Sequence, residues 1–170
     1  GLIYLLAREQ QLKMAASLAR IGQDILPRRF AEKYRLGNIA LSKLPRLNST
    51  TFRSQVKEEI APPNAERGSV VYFTGCATNH VFDSIGYATL KLLTHMGYRV
   101  IIPRQQNCCS VPLLFHGAEE QARENILANI ACLDQEGAEA IIVDCPTCGS
   151  TIKNEYPPVV RRLGERGGAA

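Results

Sequence analysis

Tryptophan is absent from this 170-residue chain, and aromatic residues make up only 6% of it. Proteins that stack nucleic-acid bases interleave aromatics with basic residues. No such interleaving occurs here, although eight basic residues fall between Arg28 and Lys57 and others sit at Arg161, Arg162 and Arg166. With a net charge of +4, these read as solvated faces or contacts to a partner protein, and nucleic acid is not expected as a ligand. Also missing is any apolar run of the roughly 18–20 residues that a membrane-spanning helix needs. The apolar stretch Gly1–Ala7 has no basic residue before it and is followed by Arg8, Glu9 and Lys13, so it does not read as a secretory signal. A Ser/His/Asp grouping, a phosphate loop and a dinucleotide fingerprint are lacking too, which leaves no site for an organic cofactor.

What the sequence does have is six cysteines in an ordinary globular mixture, 45% apolar and 21% charged. A reducing, cytoplasmic setting is the expectation, and cysteine clusters there read as metal or redox sites rather than disulfides.

The chain divides into three parts: a helical segment and linker over residues 1–66, a cysteine-rich domain over 67–160, and a tail over 161–170. Leu5, Leu12, Ala15, Ala16 and Ala19, then Leu18, Ile21 and Ile25, recur at helical spacing until Pro27 stops the run. A second short helix is expected over Arg28–Leu36, ending at Gly37. Prolines and charges mark residues 38–68 as a linker. From Ser69 a strand-then-helix cycle begins. Val70–Phe73, Tyr98–Ile102 and Ala140–Val143 read as strands. Between them, Val81, Ile85, Ala88, Leu92 and Met96 form one helical stripe closed by Gly97, and Ala122, Ile126, Ile130 and Leu133 form another ended by Gly137. A last short helix starts near Thr147. The fold class is therefore α/β, a small parallel βαβαβα sheet preceded by an α-helical segment.

Each predicted strand is followed by cysteine: Cys76 after the first, Cys108 and Cys109 after the second, Cys145 and Cys148 after the third. In a parallel sheet the carboxyl ends of the strands share one rim, and ligands bind there. Five thiols far apart in sequence are thus expected to meet. Thiolates are soft donors for iron–sulfur clusters, zinc or Cu(I). Zinc takes four ligands in a tetrahedron, which five cysteines overfill, so a multi-iron cluster is the better match. Zinc and a redox dithiol stay open as alternatives. Gly75 and Gly149 flank the ligand loops and allow close backbone approach.

Phe73-Thr74-Gly75-Cys76, Asn107-Cys108-Cys109, His116-Gly117 and Cys145-Pro146-Thr147-Cys148-Gly149, together with Lys153-Asn154-Glu155-Tyr156 and Leu26-Pro27-Arg28-Arg29, resemble the cysteine-rich "CCG" family. That family includes the cysteine-rich component of heterodisulfide reductase and the iron–sulfur subunits of glycolate oxidase and of lactate and anaerobic glycerol-3-phosphate dehydrogenases. The resemblance implies a [4Fe-4S] cluster, of the non-cubane type known in heterodisulfide reductase, on Cys76, Cys108, Cys109, Cys145 and Cys148. It also implies partners: a flavoprotein, a ferredoxin-like part and a second CCG domain, with this chain a fragment or split subunit. The location it suggests is cytoplasmic, peripheral to the inner membrane through those partners. One departure stands out, because Ser110 follows the cysteine pair where the family name anticipates glycine.

Other polar residues carry weaker expectations. Cys132 reads as a half-buried small hydrophobe. His80 and His116 lie near the cysteines, within reach of a sulfur or a proton path, and His95 sits at a helix end. Asp144 reads as a cap for the turn that follows it, with a general base as the alternative, and Asn79 as a helix cap. Arg104 reads either as a counter-charge for the thiolates or as a solvated residue.

Overall fold

Pro27 ends the first amphipathic run, and the helix before it, α1, spans Glu9–Ile25. The protein is seen here in a computed structural model that describes residues 9–36 and 38–167, so Leu5 lies outside the described residues. Helix α2, Arg28–Lys33, is shorter than the sequence suggests. Arg35–Leu36 is not its last turn but a strand, β1, paired antiparallel with β2, Ile39–Ala40. That pairing outweighs the modest helical pattern before it, and Gly37, the expected end of the helix, lies outside the described residues.

A one-turn helix, α3 (Phe52–Gln55), leads to a two-residue strand, β3 (Glu59–Ile60). The sequence reads this stretch as linker, since two residues show no periodicity. Ile60 packs on the core, and Glu59 pairs with Arg99 of the neighbouring strand at 2.8 Å. The cycle then follows as β4 (Gly68–Phe73), α4 (Cys76–His80), α5 (Asp83–His95), β5 (Tyr98–Ile101), α6 (Val111–Phe115), α7 (Glu119–Leu133), β6 (Ala138–Val143), α8 (Pro146–Asn154) and α9 (Tyr156–Gly167).

The strands lie in the order β3-β5-β4-β6, with β4 parallel to both β5 and β6 and β3 antiparallel at the edge. This is the expected parallel α/β sheet with one antiparallel strand added. β4 sends Val70 and Tyr72 to one face and Val71 and Phe73 to the other. The first face packs with Phe52, Leu90, Leu93, Val100 and Ile102. The second meets Cys109, Leu133 and Cys148. Both faces of the central strand are covered, which is why it is apolar throughout.

One helical stripe falls on the other side from the one the sequence suggests. In α5 the buried residues are Gly86, Leu90 and Leu93, whereas Ile85, Leu92 and Met96 are 46%, 61% and 46% exposed. The helix is apolar on two sides. Phe52, arriving from α3, decides between them by placing its ring over Gly86, where a Cβ would lie 2.7 Å from ring carbons. In α7 the stripe of Ala122, Ile126 and Leu133 is buried as expected, with Asn125 and Asn129 beside it.

Candidate metal centre

The chain leaves β4 for β5 on one side, then crosses to β6 on the other. Strand order therefore reverses beside β4, and the crevice outside the carboxyl ends at such a point is where open α/β sheets bind ligands. Cys76 opens α4 directly after β4, Cys108 and Cys109 lie in the loop between β5 and α6, and Cys145 and Cys148 bracket the start of α8 after β6.

The three loops bring these cysteines together. Cys109 and Cys148 are buried in one cluster with Cys108 and Cys145 packed against it, and Cys76 lines the same hollow as Cys108. All five sequence-predicted site residues thus lie along one rim. A bond from Cys108 brings the Cys76 thiol down to about 7, against burial. Bonds from Cys108, then from Cys148, hold Cys109 well below the ordinary thiol range. As donors, Cys108 and Cys148 are pushed up.

Gly75 makes this approach possible. A Cβ built there would lie 3.3 Å from Cys148 Sγ, 3.5 Å from Cys145 Cβ and 3.8 Å from Asp144 Oδ1. The first and third loops meet in that hollow, and a side chain at 75 would part them. Ser110 has φ 77°, the only non-glycine residue at positive φ among those described. Glycine, which the family name anticipates after the cysteine pair, adopts such a left-handed backbone without strain. Serine meets it at a cost, with Oγ 3.4 Å from the carbonyls of Cys108 and Ala122.

Several polar residues that pin these loops escape a reading by sequence. Gln106 accepts from Thr74 N at 2.8 Å and donates to Tyr72 O at 2.9 Å, tying the second loop to the first. Asn129 accepts from Asn107 N at 2.7 Å and donates to Cys108 O at 3.1 Å. Its place four residues after Asn125 on the buried stripe of α7 was the available signal. Arg53 donates to Gln106 O at 2.8 Å and pairs with Glu9 at 2.6 Å, joining α1 to the rim.

Two capping expectations are corrected, and the other residues singled out in the sequence fall into place beside them. Asp144 does not cap α8, which starts without a side-chain cap bond. It accepts the Tyr72 hydroxyl at 2.5 Å instead. Asn79 lies in the last turn of α4 and caps nothing there; it accepts from Arg53 N at 3.0 Å and donates to Glu9 at 2.9 Å. Arg104 braces the carbonyls of Arg53 and Val56, with no bond to a thiol. His80 is buried, 3.3 Å from Asn79 and 3.7 Å from Glu9, whereas His116 and His95 bond only to carbonyls one turn back. Cys132 donates to Asn129 O at 3.3 Å and packs on the second core face.

A hollow of about 500 Å³ opens on Cys76 and Cys108. Leu12, Ala15, Ala16 and Ala19 of α1 roof it. Among the described residues, no three His, Cys, Asp or Glu side chains surround a single-ion position. No metal shell is therefore preformed, whether tetrahedral or multi-iron; what the three loops supply is a set of five soft donors, one more than a zinc shell takes and a number that a cluster can distribute over several irons.

The fold is thus an α/β domain with a cysteine-lined crevice at the switch point of a mostly parallel sheet. Residues 70–153 match the family model of the CCG cysteine-rich domain, and that part of the chain belongs to this family. The chain is 31% identical over 107 residues to an uncharacterized iron–sulfur protein of Methanococcus maripaludis, covering 63% of this chain and 22% of that one. It is 29% identical over 120 residues to a subunit of the anaerobic glycerol-3-phosphate dehydrogenase of Escherichia coli K12, with 69% and 30% covered. To the probable glycolate oxidase iron–sulfur subunit of Bacillus subtilis it is 27% identical over 130 residues, with 76% and 28% covered. The chain thus spans less than a third of the length of these relatives. No solved structure matches it. Among the described residues no helix is long and apolar enough to cross a membrane.

Proposed function

We propose that this chain is the iron–sulfur electron-transfer part of an oxidoreductase complex, with the cluster held by Cys76, Cys108, Cys109, Cys145 and Cys148. The observation that carries this reading is the convergence of five cysteines from three loops on one rim of the sheet. Residues 67–160 form the unit that binds the cluster, and residues 1–66 dock it to the rest of the complex. When bound, the cluster supplies one-electron transfer. The chain's own part is to collect the donors, exclude water with Val71, Phe73 and Leu133 behind Cys109 and Cys148, and hold the loops through Gln106 and Asn129. The names of two relatives, a lactate utilization protein and a probable glycolate oxidase iron–sulfur subunit, favour a partner subunit that oxidises a small 2-hydroxy acid, and a flavin on that partner is the electron donor of this reading. The cluster is of the [4Fe-4S] class.

Oxygen-free reconstitution followed by iron and sulfide quantitation tests this. Wild type is expected to hold about four irons with matching sulfide. Serine at any of the five positions should lower iron content at least severalfold, while Cys132→Ser should leave it unchanged. One zinc per chain, or iron content indifferent to all five substitutions, would overturn the reading.

One observation favours a second reading, in which the cluster site itself reduces a disulfide. The apolar hollow beside Cys76 and Cys108 leaves room for a substrate. Turnover of the loaded complex with disulfides, set against 2-hydroxy acids, separates the two.

A further inference from the structure

The sheet has two edges, and they are built differently. β3 closes one of them with two residues, Glu59 and Ile60, and the chain then runs into Ala61, Pro62 and Pro63. So short a strand, followed by prolines that cannot donate, gives another chain little to pair with. β6 is the opposite edge. It is six residues long, and among the described residues β4 is its only partner. The backbone groups on its outer side therefore have no strand beside them.

The features that usually guard such an edge are turned aside here. Ser69 pairs with Ala138 and Val70 with Ala140, so a bulge leaves Glu139 out of the ladder. Glu139 carries the single charge of the strand, and its carboxylate lies back over Gly68 of β4, filling the space that a side chain there would need. Beyond the bulge run Ala140, Ile141, Ile142 and Val143, without charge or proline. Ala140 is exposed, and Ile141 is 44% exposed. Neighbouring residues of a strand point to opposite faces, so exposure of both belongs to an open edge and not to one bare face. An apolar groove of about 720 Å³ lies alongside, lined by Ile141, by Ile130 and Leu133 of α7, and by Tyr156, Pro157 and Val160 of α9.

An open strand edge is met by another strand, and β6 is complementary to itself. A twofold axis perpendicular to the sheet would run two copies of β6 antiparallel and keep like faces together. Ile141 pairs with Val71, on one face, while Ala140 and Ile142 pair with Val70 and Tyr72, on the other. Opposed residues of an antiparallel pair share a face, so the axis passes through a residue and not between two. Centred on Ile141, it sets Ile141 against Ile141 and Ala140 against Ile142, with no two charges opposed. Centred one residue later, it would bring Asp144 into the seam against Ala140. On the groove side, the half-exposed Ile141 and Val160 of both copies would be covered together.

We infer that β6 is a dimerisation edge, at which a second copy of this chain adds its own β6 antiparallel about Ile141 and joins the two sheets into one. The inference is independent of what the cysteines hold. Because the strands run in opposite directions, it leaves the two cysteine rims at opposite ends of the joined sheet.

Analytical ultracentrifugation and hydrogen–deuterium exchange of the whole chain test this. Wild type should pass from monomer to dimer as concentration rises, and the amides of β6 should exchange severalfold more slowly in the dimer. Ile141→Arg and Ile141→Glu should each stay monomeric where wild type is dimeric, because like charges then face each other across the axis. Mixed in equal amounts, the two variants should pair again. Leu18→Arg, on the exposed side of α1, should dimerise as wild type does. If the charged variants fail to fold, exchange in wild type decides: a dimer that leaves β6 unprotected overturns the inference. Wild type that stays monomeric at every concentration would overturn it too, leaving the edge to a strand of another protein. So would dimers that persist in both charged variants, or a mixture that remains monomeric. Iron content should be equal in wild type and Ile141→Arg, so the dimer can fail while the iron–sulfur reading stands.

Discussion

Ser110 is the residue at which the local rules and the fold disagree. A serine at φ 77° pays the left-handed penalty that glycine avoids, about 1 kcal/mol or more. Its hydroxyl bonds are long, 3.4 Å each, and return little. Ser110→Gly is therefore expected to stabilise the protein by about 1 kcal/mol. In thermal unfolding that is a rise of about 2–4 °C for a domain of this size. A fall would mean that the two hydroxyl bonds outweigh the backbone strain. The departure from the family's glycine is visible in the sequence. Its physical reason is not, because the backbone angle follows from the way the loop must turn after Cys109 to start α6.

Among the elements, α1 has the least secure hold. None of its residues is fully buried; Glu9 ties its first turn to Arg53, Asn79 and His80, and Arg20, Gln23 and Asp24 tie its far end to residues 45–47. Burial alone would raise the Glu9 carboxyl, but the bond to His80 and the charges of Arg53 and His80 prevail, and the net position is below the ordinary 4.5. A group held below its unfolded value contributes stability above that value and loses it as the pH falls through the lowered one. The docking of α1 should thus hold above about pH 4.5 and loosen below it. A spin label at Ser17, exposed on α1, should become mobile as acid is added. In Glu9→Gln the label should be mobile at neutral pH, with no further change on acidification. A label in Glu9→Gln as immobile as in wild type would show that the charge does not hold the helix.

At the scale of the whole molecule, the strand–helix cycle was legible because the central strands are apolar on both faces and prolines and glycines separate them. The meeting of the cysteines was legible for a topological reason, since parallel strands bring their carboxyl ends to one rim. What sequence could not supply was partnership over distance. The bond of Tyr72 to Asp144 spans 72 positions, and that of Arg53 to Gln106 spans 53. Neither leaves a periodic trace. The burial of α5 on its Gly86 side was hidden for the same reason, because Phe52 comes from a helix of four residues inside what looked like linker. The strand β3 was too short to announce itself.

The roof over Cys76 and Cys108 is fastened at few points: Glu9 at one end, and Arg20 and Gln23 bonded to the 45–47 stretch at the other. Such an element opens far more often than the sheet beneath it unfolds. Amide protons of α1 should exchange orders of magnitude faster than those of β4 in a deuterium-labelling experiment. Cys76 is exposed even with this roof in place, whereas Cys108 is half-buried, so each brief opening chiefly widens the approach to Cys108. Iron delivery to that sulfur and chemical damage at it would then share one doorway, and their rates would rise and fall together when the fastening of α1 is altered.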